Sequence, residues 1–144
     1  PEGVYRLDFD PQHGTPNLRV AWETRTADDQ LYLYFDVQSF PLQAGMKDPE
    51  EQLLSQREGQ WRDAVEGAKT ISKGKTAGFK DKFGKGKGLG YEFTGHYKDK
   101  PYVERGWIVK HKKYIYWVRV QYGGEGAEKA FSKLFKKLKK SIKF

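Results

Sequence analysis

The sequence predicts an α+β fold, with a central antiparallel sheet of about six to seven strands and two flanking helices. The first observation is the stretch from Leu89 to Tyr122, which divides into three strand-like segments separated by short polar turns. The first segment alternates apolar and polar residues, and the third is β-branched and aromatic throughout. Short turns make neighbouring strands antiparallel. The second observation is that residues such as Trp107 and Tyr116 leave both sides of the C-terminal strands partly apolar. Because both faces then need a cover, an α/β/α sandwich is expected, with helices at about 48–66 and 126–142.

The N-terminal third predicts three strands, because apolar residues there recur at every second position. The three strands are expected at Val4 to Phe9, Leu18 to Glu23 and Leu31 to about Phe40. The loops between them are predicted from proline, glycine and short polar residues.

The first helix is predicted from its start signals and from the spacing of its apolar residues. Asp48 is expected to cap the free backbone amides, Pro49 suits the first helical position, and Glu51 completes a capping box. Leucines and Trp61 follow at helical spacing, and Gly67 marks the expected end.

The C-terminal half predicts four more strands and a second helix. Thr70 to Thr76 is expected to be a strand, followed by a glycine- and lysine-rich loop from Gly78 to Gly88. The remaining strands are expected at Leu89 to Tyr97, Tyr102 to Lys110 and Tyr114 to Tyr122, with a turn at Lys98 to Pro101. Apolar residues then repeat at three- and four-residue spacing over 126–142, which indicates an amphipathic helix.

Length and composition predict a single domain over residues 1–144, with residues 1–27 the part least defined by pattern. The chain has no cysteine, which excludes disulfides and thiolate metal sites, and no apolar run of membrane-spanning length. It begins at Pro1, so we expect a processed piece whose upstream signal or anchor has been removed.

Charge is distributed unevenly along the chain. Residues 1–68 contain 6 Lys and Arg against 13 Asp and Glu, whereas residues 69–144 contain 21 against 6. The basic half could contact a polyanion or a partner protein, or its lysines could simply be solvated on a fold that mixes both halves. The candidate contact residues are Lys80, Lys82, Lys85, Lys87, Lys98, Lys100, Lys112, Lys113, Lys136, Lys137, Lys139 and Lys140.

The order of elements and several motifs resemble the PsbP-like superfamily, which includes PsbP, Mog-type Ran-binding factors and bacterial lipoproteins. The resemblance covers about residues 28–144. It rests on the strand leading into Asp48-Pro-Glu-Glu, on Gly90-Tyr-Glu-Phe-Thr-Gly95, on Tyr114-Ile-Tyr-Trp-Val118 and on the ending Ser141-Ile-Lys-Phe144. It implies an α/β/α sandwich that serves as an accessory or binding module, and it favours a bacterial envelope or extracytoplasmic location. The family has no shared catalytic set to transfer to these residues.

No pattern for catalysis or for metal binding is found. His13, His96 and His111 are isolated, and the acidic pairs Asp28–Asp29 and Glu50–Glu51 stand at a predicted turn and a helix start. The Gly78–Gly88 stretch does not have P-loop spacing. We therefore expect a non-enzymatic module without cofactor or metal that binds an unknown protein partner. The alternative is a polyanion binder, for nucleic acid or acidic lipid, without sequence specificity.

Overall fold

A computed structural model describes residues 4–10, 17–74 and 88–141, with side chains for residues 21–74, 88–134, 136 and 137. Its strands are β1 (Val4–Asp10), β2 (Asn17–Arg25), β3 (Tyr32–Pro41), β4 (Glu66–Gly74), β5 (Gly88–Tyr97), β6 (Lys100–His111) and β7 (Tyr114–Gly123). Its helices are α1 (Pro49–Ala64), α2 (Ala127–Ala130) and α3 (Ser132–Ser141). All neighbouring strands pair antiparallel. The predicted α+β class with an antiparallel sheet is confirmed.

The strands follow the order β1-β2-β3-β7-β6-β5-β4 across the sheet. The chain leaves β3, crosses one face as α1, and starts β4 at the far edge. It then returns through β5 and β6, each antiparallel to the strand before it, until β7 pairs with β3. The junction between the two halves is therefore a pairing of distant residues, in which Asp36 lies opposite Arg119.

Helix α1 covers one face of the sheet, which we call the α1 face, over β4, β5 and β6. Its buried residues Leu54 and Trp61 are seven positions apart and therefore lie on one side of the helix. They join a cluster that includes Phe93 and Ile108. The indole N–H of Trp61 donates to the backbone carbonyl of Thr94 at 3.0 Å, which fixes the helix against β5.

The predicted capping box of α1 is wrong. Asp48 has a left-handed backbone (φ 46°, ψ 56°) and makes no side-chain cap hydrogen bond. An N-cap side chain normally reaches the first amides from an extended backbone, which Asp48 lacks. Instead, the backbone N–H of Gln52 donates to the Asp48 carbonyl, and the Gln52 amide donates to the Lys47 carbonyl at 2.7 Å.

The opposite face carries a second core, which includes Trp107, Val118 and Val120. Phe131 and Leu134 pack against it. The helix predicted over 126–142 is two helices in the structure, because the chain turns at Phe131 between α2 and α3.

Several predicted boundaries shift. The turn expected at Lys98 to Pro101 consists of Lys98 and Asp99 alone, both with positive φ (50° and 62°), and β6 starts at Lys100. Strand β4 begins earlier than predicted, at Glu66. The loop predicted between Gly78 and Gly88 lies outside the described residues except for its last residue, which belongs to β5.

Candidate binding site

The structure does not bring the predicted lysines into one surface. Lys98 and Lys100 lie at one end of β6, whereas Lys112 and Lys113 lie at the other end. Twelve residues of strand separate the two ends by about 37 Å. The surface predicted from Gly84–Gly88, Lys98–Lys100 and His111–Lys113 is therefore divided, because Gly88 pairs with Val109 near the second end.

The other predicted lysines add little to a described surface. Lys136 and Lys137 are exposed on α3. The remaining candidates, Lys80, Lys82, Lys85, Lys87, Lys139 and Lys140, lie outside the part of the chain whose side chains are described.

A cleft of about 480 Å³ lies beside Lys98 and Lys100, and we call it the turn cleft. It forms where the turn between β2 and β3 meets the turn between β5 and β6. Its lining comprises Arg25, Asp29, Gln30, Tyr32, Tyr97, Lys98, Lys100, Pro101, Tyr102, Gly123 and Gly124. Three of these residues are cationic and one is acidic, so the lining has an excess of positive charge.

The wall made by the β2–β3 turn is held by local hydrogen bonds. The Asp28 carboxylate accepts from the Thr26 hydroxyl at 2.5 Å and from the Gln30 backbone N–H at 3.2 Å. These two bonds, the Thr26 bond first, lower the pKa of Asp28 below its usual value. At the base of the turn, Gly124 approaches the carbonyl of Gln30 so closely that a side chain would overlap it. The cleft is therefore preformed on a rigid frame.

The cations of the turn cleft lie against tyrosine rings. The Arg25 guanidinium lies 4.9 Å from the ring centre of Tyr32, and the Lys98 ammonium lies 5.5 Å from that of Tyr97. Among the described residues, neither cation has an ion-pair partner. Lys100 donates to the Gln30 side-chain oxygen at 2.9 Å. The cleft thus presents positive charge on an aromatic surface, with Tyr97 still 62 % exposed.

Tyr102 connects the cleft to the interior. Its ring stacks on Trp61 of α1 with centres 5.0 Å apart, and its hydroxyl donates to the side-chain oxygen of Gln121 at 2.8 Å. Burial, followed by the negative charge of Glu104, raises the pKa of Tyr102 to about 12. Tyr102 therefore remains a neutral hydrogen-bond donor at physiological pH.

Beneath the cleft, the α1 face contains a buried ionic network centred on Glu104, which has no exposed surface. Arg57 of α1 donates to both Glu104 oxygens, at 2.8 and 2.6 Å. The Tyr91 hydroxyl donates to the same carboxylate at 2.8 Å, and the Gln121 amide donates at 2.6 Å. Burial by itself lowers the pKa of Arg57, but the hydrogen bonds and charge of Glu104 outweigh it and raise that pKa.

The network continues to the junction between β3 and β7. Arg119 donates twice to fully buried Asp36, at 3.0 and 2.7 Å, and its other terminal nitrogen is 4.0 Å from Glu104. The Tyr34 hydroxyl and the Gln38 side-chain amide also donate to the Asp36 carboxylate. The carboxylates raise the pKa of Arg119 although burial opposes them. Two arginines therefore balance two carboxylates, with the hydrogen bonds that buried charges require.

The carboxylates of the network are engaged by hydrogen bonds from within the protein. Both carboxylates are also buried. No group of three or more His, Asp or Glu side chains that could hold a metal ion occurs in the described ranges. His96 is exposed beside Gly67, and the His111 ring lies 6.4 Å from Tyr116. Neither histidine lines the turn cleft, whose titratable residues are one aspartate, one arginine, two lysines and three tyrosines.

A second cleft lies on the opposite face at the same end of the sheet. Its central cation, Arg105, contacts Glu92 at 2.6 Å and Glu128 at 3.0 Å, and lies over the Tyr122 ring. The lining holds three carboxylates, Glu92, Glu125 and Glu128, against two cations, Arg105 and Lys129, so this cleft lacks the excess of positive charge that the turn cleft has.

Sequence reasoning found Lys98 and Lys100 but not the residues that complete the cleft, Arg25, Tyr32, Tyr97 and Tyr102. It also missed the buried network. One signal was available: Asp36 and Arg119 each have an aromatic residue two positions earlier on the same face of the strand, Tyr34 and Trp117 respectively. A charge in such a setting indicates burial with a partner.

Comparison with known proteins shows the fold and no more. No protein-family profile and no curated protein sequence matches the chain. A solved structure of a Pseudomonas aeruginosa protein of unknown function is similar, with a TM-score of 0.59 over 96% of this chain and 97% of the other. The two sequences are 5% identical, so the likeness concerns the fold alone. Within the described residues, no helix has the length and hydropathy needed to cross a membrane.

Proposed function

We propose that the chain is a non-enzymatic accessory domain that binds a protein partner through the turn cleft. The observation that carries the proposal is the convergence of Tyr32, Tyr97 and Tyr102 with Arg25 beside buried Trp61. Tyrosine and arginine are among the residue types that dominate binding energy at protein interfaces. A preformed cleft of these residues loses little conformational entropy when a partner binds.

The resemblance to PsbP-like domains supports the same proposal. An α/β/α sandwich of that type agrees with the packing of α1 on one face and of Phe131 and Leu134 on the opposite core. Phe131 and Leu134 are therefore part of the packing of the domain.

Capture from the native host tests the proposal with matched variants. Tyr97→Ala removes the most exposed tyrosine of the cleft, and Tyr114→Ala removes a 39 % exposed tyrosine at the other end of the sheet. We expect wild type and Tyr114→Ala to retain the same partner. Tyr97→Ala should retain it at least about tenfold less tightly, as for an interface hot spot. If no protein is enriched, or Tyr97→Ala retains it equally, the proposal is wrong.

The second candidate function is binding of a polyanion at the other end of the sheet. Lys110, Lys112 and Lys113 are exposed together beside the β6–β7 turn, within a half of the chain that is strongly basic. Binding to DNA or to acidic vesicles should then fall steeply as salt is raised. Absence of binding to both at low salt removes this candidate.

A further inference from the structure

We infer that the turn cleft recognises an acidic, extended segment of a partner protein. The inference rests on the proposed function and adds the chemistry of the partner. It begins from the two cations that have no ion-pair partner in the described structure, Arg25 and Lys98, together with Lys100, which is held by a neutral amide. Carboxylates pair with such cations through charge-assisted hydrogen bonds.

The charge pattern favours a peptide over a nucleic acid. A nucleic-acid backbone needs a continuous track of cations. The turn cleft has three cations, its lining includes Asp29, and the adjoining turns carry Asp28 and Asp99. The next group of described lysines along β6 lies about 37 Å away. Carboxylates spaced along a peptide can contact the cations and avoid these acidic side chains, whereas a phosphate at every nucleotide cannot.

The aromatic lining accounts for the rest of the segment. The rings of Tyr32 and Tyr102 offer flat apolar surface between their polar groups, on which an aliphatic or aromatic side chain can pack. A volume of about 480 Å³ falls within the range of sites that enclose small ligands, so the cleft takes a short stretch of chain.

Titration calorimetry with a defined peptide pair tests the inference. The probe is acetyl-Asp-Glu-Leu-Asp-Glu-amide, and its neutral match is acetyl-Asn-Gln-Leu-Asn-Gln-amide. We expect the acidic peptide to bind the wild-type chain at least about tenfold more tightly than the neutral one, and added salt to weaken it. An oligothymidylate serves as the nucleic-acid arm and should bind less tightly than the acidic peptide.

Two lysine variants provide the matched control. Lys98 and Lys112 each occupy a two-residue β-turn with positive φ, 50° and 55°, where glycine is favoured. Lys98→Gly and Lys112→Gly should therefore remove the same charge without disturbing the fold, and circular dichroism of both variants checks this. We expect Lys98→Gly to weaken the acidic peptide at least about threefold and Lys112→Gly to leave it unchanged.

Three results would overturn the inference: equal affinity for both peptides, equal losses from the two glycine variants, or tighter binding of oligothymidylate. Capture of a partner that depends on Tyr97, combined with indifference to the acidic peptide, rejects the acidic chemistry and leaves the proposed function standing. Loss of partner capture altogether rejects the proposed function instead.

Discussion

Replacing Glu104 with glutamine tests the buried network most directly. The carboxylate accepts two hydrogen bonds from Arg57, one from Tyr91 and one from Gln121, all between 2.6 and 2.8 Å. Glutamine keeps the shape but turns one acceptor oxygen into an N–H₂ group. Each oxygen of Glu104 accepts from Arg57 and from one other donor. In either orientation of the glutamine amide, its N–H₂ group therefore replaces an oxygen that two donors require.

The expected loss follows from burial and charge. Breaking a buried ion pair by neutralising one partner costs about 3–5 kcal/mol, because the other charge stays buried without compensation. Both side chains meet this condition, since Glu104 is fully buried and Arg57 is 15 % exposed. With a urea m-value of about 2 kcal/mol/M, Glu104→Gln should lower the unfolding midpoint by roughly 2 M. Tryptophan fluorescence reports the transition through Trp61 and Trp117.

A matched control separates burial from charge. Glu92 also contacts an arginine at 2.6 Å, but both of these side chains are about one-fifth exposed on the opposite face. Glu92→Gln should therefore cost about 1 kcal/mol or less. In a double-mutant cycle, Arg57→Met should offset part of the Glu104→Gln loss, with a coupling energy of about 1.5 kcal/mol or more. A Glu104→Gln loss below about 1 kcal/mol, or one equal to that of Glu92→Gln, refutes this account.

Two further predictions concern Tyr102 and Gly106. Unfolded tyrosine titrates near pH 10, and the pKa of Tyr102 is raised to about 12. The folded state therefore holds the Tyr102 proton to higher pH than the unfolded state does. The free energy of unfolding should fall between about pH 10 and 12, by up to about 1.4 kcal/mol per pH unit. Urea titrations at several pH values should show a smaller fall in the free energy of unfolding for Tyr102→Phe than for wild type. An equal fall in the two proteins would contradict this prediction. Gly106→Ala should cost about 1–3 kcal/mol because its methyl overlaps the Tyr91 ring. Gly59→Ala, an open position on α1, should gain about 0.5–1 kcal/mol, and equal thermal shifts for the two variants would contradict the packing.

The strands were predictable because their local patterns agree with their final environment. Leu89 to Tyr97 alternates in period two and Tyr114 to Tyr122 is rich in β-branched and aromatic residues, and β5 and β7 match those ranges within one residue. The start of α1 was predictable from Pro49, but the conformation of Asp48 was not. A left-handed residue before a helix depends on the path of the preceding loop, which no local pattern specifies.

The turn cleft could be predicted only in part, because it depends on strand order. Lys98 was identified from its own turn. Arg25 and Tyr32 flank a turn about seventy residues earlier, and they meet Lys98 only because β7 returns to pair with β3. That return requires α1 to carry the chain to the far edge of the sheet, a choice that periodicity alone leaves open.

The missed network also explains how this return finds its register. Asp36 and Arg119 lie directly opposite each other, 83 residues apart in sequence. A slip of one residue would turn Asp36 to the opposite face, against the apolar side chains of Val118 and Val120. A buried carboxylate without a partner costs several kcal/mol there, so the wrong register is penalised far more strongly than apolar residues alone would penalise it. The same pairing places the β2–β3 turn against Gly124, so the register fixed by the buried charges is also what forms the turn cleft.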